Sequence, residues 1–207
     1  LDKLNWGLIG GGDGSQVGFA HRSAAQLDGN FNFVAGALDL DPDKAREFGV
    51  SLGLENSRSY GSWQGMLDAE KNIRGEKRLN LVTVATPNST HFEISKAFLE
   101  SGFHVLCEKP LTMTVEEAKA LVLIAAKSNR VCAVNYGYTG YPLVRQMRSM
   151  IMGEELGQIR LVVAEFAGGF MADSADAENP RVKWRFSSKH SGMAAITVDC
   201  GIHALNM

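Results

Sequence analysis

Two groups of residues in this chain have the types and spacing to do chemistry. Near the start, Gly10-Gly11-Gly12 ends a short apolar run, Asn5 to Ile9, and after Gly18 the apolar residues Phe19, Ala20, Ala24 and Leu27 recur at helical spacing. A bound pyrophosphate needs a tight turn, a backbone with no side chain in the way and helix N–H groups aimed at it, and Gly10, Gly12 and Gly18 can supply these. The usual pattern has its third glycine three residues after the second; here Gly12 and Gly18 are six apart, so the loop is three residues longer. Asp39 follows twenty-one residues after Gly18, where a carboxylate can accept hydrogen bonds from the ribose hydroxyls of adenosine, or serve only as a turn residue. Leu40 and Asp41 bring no Arg or Lys to neutralise a 2′-phosphate, although Lys44 and Arg46 are close, which favours NAD with NADP as the alternative. No Gly-Lys-Ser or Gly-Lys-Thr follows, so the turn is not a nucleoside-triphosphate loop. Near the other end, Asp199 and His203 are four apart, which on a helix puts both on one face. A neutral imidazole there suits the removal of a hydroxyl proton near pH 7. The plainer alternative is a helix N-cap and a buried histidine.

Further candidates fall where apolar runs stop. Thr86-Pro87-Asn88 ends a strongly apolar strand, Leu79 to Ala85, and leads through His91 into a helix; Glu108-Lys109-Pro110 ends the strand Phe103 to Cys107. An open parallel sheet binds its ligands at such strand ends. Asn135, Tyr138 and Tyr141 sit where the character of the chain changes and can hydrogen-bond substrate hydroxyls, although Tyr141-Pro142 equally reads as a helix start. Trp184-Arg185 offers an aromatic face and a forked donor suited to a polyol or to the nicotinamide amide, or a buried indole that anchors a loop. Cys107 is adjacent to Glu108 and could line the same pocket, but strand packing explains it more simply.

These residues need elements to position them. Asn32 to Leu38 reads as a strand, Pro42 to Phe48 as a helix capped by Asp41, His91 to Leu99 and Val115 to Lys127 as helices, and Val131 to Asn135 as a strand. Strands alternating with helices imply a parallel sheet with right-handed crossovers. Residues 1–137 are therefore expected to form a dinucleotide-binding domain. Residues 138–207, with a helix to about Met152, a strand from Gln158 to Phe166 and a long polar loop from Ala167 to Ser191 holding Gly168-Gly169 and Asn179-Pro180, begin a second one. With 207 residues, 45% hydrophobic and 21% charged, the chain has the balance of a globular protein. A net charge of -2 without strong runs of either sign argues against nucleic acid or an anionic membrane and for a small-molecule partner. Cys107, Cys132 and Cys200 suggest neither a disulfide framework nor a metal site but reduced core thiols, and no segment reads as a targeting signal or membrane span, so a cytoplasmic location is expected. A chain that begins with Leu1 and stops at Met207 without a polar tail reads as a piece of a longer protein.

The glycine turn, Thr-Pro-Asn with His three residues later, Glu-Lys-Pro after a strand, and Asp199-Cys200-Gly201-Ile202-His203 occur in that order, and together the chain resembles the family of glucose–fructose oxidoreductase, inositol dehydrogenase and MocA. The resemblance covers essentially the whole chain. It implies an α/β protein with an N-terminal Rossmann doubly wound parallel sheet, followed by the start of a truncated α+β open-sheet substrate domain that usually mediates homo-oligomer formation. It places Lys109 between nicotinamide and substrate, with Asp199 and His203 opposite. Cofactor contacts are then expected from Gly10, Gly12, Gly18, Asp39, Thr86, Pro87, Asn88, His91, Glu108 and Lys109, and substrate contacts from Asn135, Tyr138 and Arg185. The activity implied is hydride transfer between NAD(P) and a secondary hydroxyl of a sugar or cyclitol: His203 takes the proton, Lys109 stabilises the alkoxide and Asp199 orients substrate or imidazole. Two other readings share these parts, an NAD-using enzyme that cleaves glycosides and a non-catalytic dinucleotide-binding protein. As 207 residues alone, the chain is expected to bind cofactor with little or no turnover.

Overall fold

The computed structural model of the chain describes residues 3–166, 173–174, 178–179, 183–192 and 197–207. The chain divides into two compact units, Leu1–Val134 and Asn135–Met207.

In the first unit strand and helix alternate: β1 (Leu4–Gly10), α1 (Gln16–Leu27), β2 (Phe31–Ala37), α2 (Pro42–Ser51), α3 (Trp63–Glu70), β3 (Leu81–Ala85), α4 (His91–Glu100), β4 (His104–Glu108) and α5 (Val115–Ser128), with β5 (Cys132–Asn135) running up to the division. The sheet order is β2-β1-β3-β4-β5; β1 pairs in parallel with β2 and β3, and β3 with β4. This is the doubly wound Rossmann-like α/β fold. After β2 the chain crosses to the other side of β1, so a crevice opens at the carboxyl ends of β1 and β3, where such sheets bind ligands. Helix starts follow local chemistry: the Asp41 side chain accepts from the N–H groups of Asp43 and Lys44, and Thr114 and Glu117 form a reciprocal capping box at α5.

The alternation along β1 serves two packed faces. Ile9 joins Val82, Val84, Ile94, Phe98, Phe103 and Val105 in the larger core, while Trp6 and Leu8 pack with Leu38 on the other side. The buried Trp6 indole donates to Thr83 Oγ1 at 2.9 Å. Gly7 lies between them, where a Cβ would meet the end of the Met66 side chain at 2.6 Å and crowd Leu79 and the Ala35 carbonyl at 3.2 and 3.3 Å. That methionine belongs to α3, a helix in a stretch where the sequence reading assigned no element. The fully buried Glu70 at its end accepts from Arg58 Nε at 2.9 Å, Arg58 Nη2 at 2.5 Å and the Tyr60 hydroxyl at 2.9 Å. Burial and the adjacent carboxylate push the Tyr60 pKa well up.

The second unit contains α6 (Pro142–Met152), α7 (Ser188–Ser191), a π-helical turn over Thr197–Gly201 and α8 (Ile202–Asn206). The expected strand from Gln158 to Phe166 does not form. Its residues join no ladder among the described residues and are exposed, Leu161 at 80% and Val162 at 76%. Apolar, β-branched composition makes a segment fit for a sheet, but a strand exists only against a partner. Within the expected loop, Lys183–Phe186 form a 3-10 turn; Gly168, Gly169 and Pro180 lie outside the described residues. No helix among the described residues is long and apolar enough to cross a membrane, and among them no group of three or more His, Cys, Asp or Glu could hold a metal ion.

Candidate active site

In the first unit the candidate residues come together where strands end. β1 runs into Gly10 and Gly11, whose φ angles of 75° and 66° lie in the left-handed region. A Cβ on Gly12 would collide with the Leu38 carbonyl after β2, and one on Gly18 would collide with the Gly11 carbonyl, so α1 lies directly against the turn. The helix starts at Gln16, earlier than glycine spacing suggested: Gly18 is inside the first turn, and its N–H is capped by Ser15 Oγ at 3.0 Å. The N–H groups of Gln16 and Val17 have no acceptor within the helix, as at any helix start, and sit at the positive end of its dipole. Arg22, one turn on, donates to the Gly11 carbonyl at 2.7 Å and ties the helix to the turn. Asp39 stands beside this turn. Its Oδ1 accepts from the Asp41 N–H at 2.9 Å, and its Oδ2 lies 3.4 Å from where a Gly12 Cβ would be.

The loops after β3 and β4 form the adjacent wall. The Thr90 hydroxyl lies 2.7 Å from that of Thr86 and 2.8 Å from the Pro87 carbonyl, and Asn88 is buried. His91, expected to contact the cofactor, is instead 1% exposed, with Nδ1 2.7 Å from the Pro110 carbonyl and Nε2 2.8 Å from the Thr86 carbonyl. It lies between the two loops, and as a neutral ring it donates to one of the two carbonyls. Burial holds its pKa under the usual histidine value, outweighing the two carbonyls, which favour the cation. The Lys109–Pro110 bond is cis. Cys107 is fully buried in the core, its thiol pushed up to about 12 by burial, so strand packing is its role.

Glu108 is nearly as enclosed. Its Oε1 lies 2.7 Å from His21 Nε2 and its Oε2 accepts from the Lys109 backbone N–H at 3.3 Å. A carboxylate only accepts, so His21 Nε2 carries the proton. Sequence reasoning missed both His21 and Arg22. The available signal was position: His21 follows Gly18 by three residues, on the face of α1 that meets the sheet.

In the second unit Asp199 and His203 have different neighbours. Asp199 lies within the π turn, not at an N-cap, and its Oδ2 accepts from Arg185 Nε at 2.9 Å, with side-chain exposures of 15% and 21%. The Arg185 guanidinium in turn lies 4.5 Å from the Trp184 ring centre. His203, in α8, meets the Tyr138 ring edge-on at 4.5 Å and the Phe166 ring at 5.6 Å. Tyr138 also packs edge-on against Tyr141 at 5.5 Å. Asn135 ends β5.

A glycine turn closed over a helix start, at the switch point of a parallel sheet and flanked by a carboxylate, defines a dinucleotide-binding α/β protein. Residues 4–136 match the model of the GFO_IDH_MocA family, described as an oxidoreductase family with an NAD-binding Rossmann fold, and the chain belongs to that family. It is 38% identical over 206 residues to the uncharacterized oxidoreductase YfiI of Bacillus subtilis, covering 99% of this chain and 52% of that protein. It is 34% identical over 215 residues to levoglucosan dehydrogenase of Pseudarthrobacter phenanthrenivorans, covering 100% and 50%. Among solved structures, the inositol dehydrogenase homolog of Azotobacter vinelandii complexed with NAD+ is 45% identical, with a TM-score of 0.94 over 99% of this chain and 52% of that one. The same homolog complexed with NADH and myo-inositol is 44% identical, with a TM-score of 0.88 over 99% and 51%. The chain thus spans about half the length of the relatives it matches.

Proposed function

We propose that this chain binds NAD at the carboxyl ends of β1 to β4 and serves an oxidoreductase that transfers a hydride between the nicotinamide and a secondary hydroxyl of a sugar or cyclitol. The observation that carries the reading is the convergence of the glycine turn, Asp39, the Thr86-Pro87-Asn88 loop and Glu108-Lys109 on one edge of the sheet. A Cβ at Gly12 or Gly18 would meet the Leu38 or Gly11 carbonyl, so these glycines let the end of β2 and the start of α1 close on the turn, the packing that brings a helix N-terminus to a diphosphate, and the residues present fit the cofactor. When bound, the nicotinamide supplies the hydride acceptor or donor.

The chain's own groups do the rest. The Gln16 and Val17 N–H groups receive the pyrophosphate, and Asp39 accepts from the adenosine ribose diol while repelling a 2′-phosphate. The Lys109 ammonium holds the reacting oxygen and stabilises its developing charge. His203 takes the hydroxyl proton, and the aromatic edge of Tyr138 orients its ring. Asp199, steadied by Arg185, holds the substrate, and Asn135, Tyr138 and Arg185 read its hydroxyl pattern. Levoglucosan and myo-inositol, named with two of the relatives, are the first compounds to try. The family resemblance further supports a homo-oligomer.

Two measurements test this. Nicotinamide fluorescence on titrating the chain with NADH should saturate, NADPH should bind more weakly, and Asp39→Ala should weaken NADH by about tenfold or more, the loss of hydrogen bonds to a charged acceptor. The whole protein should then reduce NAD with at least one of myo-inositol, levoglucosan or a wider polyol panel, and Lys109→Ala should lower that turnover by roughly a hundredfold. Tighter binding of NADPH, or full turnover without Lys109, would overturn the corresponding assignment.

A further inference from the structure

The contact of His21 with Glu108 joins two parts of the first unit that are 87 residues apart in sequence, at 2.7 Å and with side-chain exposures of only 10% and 12%. His21 lies in α1, the helix whose start faces the pyrophosphate position. Glu108 is the last residue of β4, and its second carboxylate oxygen turns back onto the backbone N–H of Lys109. A near-buried carboxylate is costly unless each oxygen is engaged, and here one engages the cofactor helix and the other the residue that carries the ammonium. The sequence names Glu108 as a cofactor contact, and the contact with His21 gives the same side chain a further task.

We infer that His21 and Glu108 form a positioning pair, which fixes the backbone of Lys109 to α1 so that cofactor and ammonium are registered to one rigid helix. The inference rests on the reading of Lys109 as a catalytic residue. Neither member of the pair touches substrate; both act through Lys109. Arg22 performs the corresponding task for the other wall of the site, since its bond to the Gly11 carbonyl holds the turn to the same helix. Consecutive residues of α1 therefore brace the glycine turn and the Lys109 loop. A sub-ångström shift of a reacting group costs rate far more than binding, and such a pair is expected to govern turnover more than affinity.

The test uses His21→Leu, which removes the donor, His21→Gln, which returns an N–H, and Glu108→Gln, alone and with Lys109→Ala. With whichever of myo-inositol or levoglucosan the whole protein oxidises, His21→Leu should lower kcat by about tenfold or more while the NADH Kd changes less than about twofold, and His21→Gln should recover most of the rate. In the Lys109→Ala background the same change should cost nothing further, because residues that act as one unit are not additive. Equal losses in both backgrounds, or a loss that appears in NADH affinity instead of kcat, would overturn the pair. A separate readout covers the anchor itself: hydrogen exchange of the Lys109 amide should quicken by about tenfold in His21→Leu and Glu108→Gln. If Lys109→Ala keeps full turnover, the catalytic reading of Lys109 fails and the inferred function of the pair falls with it, while the exchange result still decides the anchor. Unchanged Lys109 exchange in both variants would refute the anchor whatever the activity shows.

Discussion

His91 shows how a single side chain serves the site without entering it. Its ring spans the Thr86 and Pro110 carbonyls, one from each strand-end loop, and desolvation keeps it neutral in the folded chain. An imidazole whose folded pKa lies below its ordinary value of 6.5 binds fewer protons folded than unfolded as the pH falls. The stability that goes with neutral His91 is then complete above that value and is lost as pH falls through it toward the folded pKa. His104 is pushed the same way by burial and by Arg130 and Arg78, and it contributes in the same window. The thermal midpoint of the chain should therefore drop between pH 7 and pH 5. His91→Gln should flatten that drop in part, and His91→Gln with His104→Gln should flatten it further. An undiminished slope in the double variant would assign the pH dependence to other groups. The sequence marked His91 as chemically important from its place after Thr-Pro-Asn. It could not tell a ligand contact from a buried fastener, because that depends on a carbonyl nineteen residues away.

Strands, helices and crossovers of the first unit were legible because each core strand is a short apolar run and each helix has a local start signal, Asp41 for α2 and Thr114 with Glu117 for α5. α3 was not, although Ser62 caps it in the ordinary way, because it sits in a polar stretch without long apolar periodicity. Met66 sets its middle into the core, and its end is held by a buried ion pair, Glu70 with both arms of Arg58 and with Tyr60, which no sequence spacing announces. Removing one partner of such a pair strands the other, so Glu70→Ala should cost about 3–5 kcal/mol and lower the thermal midpoint by roughly 10 °C. Replacing all three groups together, by Arg58→Met, Glu70→Leu and Tyr60→Phe, should cost less than the single alanine, since no uncompensated charge is left behind. Thermal melts of the two proteins decide it. A triple variant weaker than Glu70→Ala would mean that the hydrogen-bonded network contributes specific stability beyond charge compensation. The contact of His21 with Glu108 was illegible for a related reason: Glu108 lies in a recognisable motif and His21 in none, and the bond between them belongs to the packing of α1 on the sheet.

For the molecule as a whole, the candidate groups fall in two units of different character. The first has a core that places its site residues on a rigid strand edge, whereas Gln158 to Phe166 in the second presents Leu161, Val162 and Val163 largely to solvent and leaves Ile159 and Phe166 partly exposed. A five-residue set of that kind has the composition of a sheet strand and none of its pairing, and exposed apolar backbone of this sort invites a partner strand. The relatives that this chain matches are about twice its length. In the 207-residue chain at low concentration, the amides of 159–166 should exchange at nearly the rate of an unstructured peptide, while those of β1 and β3 are slowed by about a thousandfold or more. Adding sequence that supplies strands for this segment should slow its amides by at least about a hundredfold, as ladder hydrogen bonds form. Raising the concentration of the chain alone is the control, because protection that appears only then would come from a second copy pairing along the same edge. Slow exchange of 159–166 in the dilute chain would show that the segment is already paired in solution, and the exposed apolar residues would then need a different explanation.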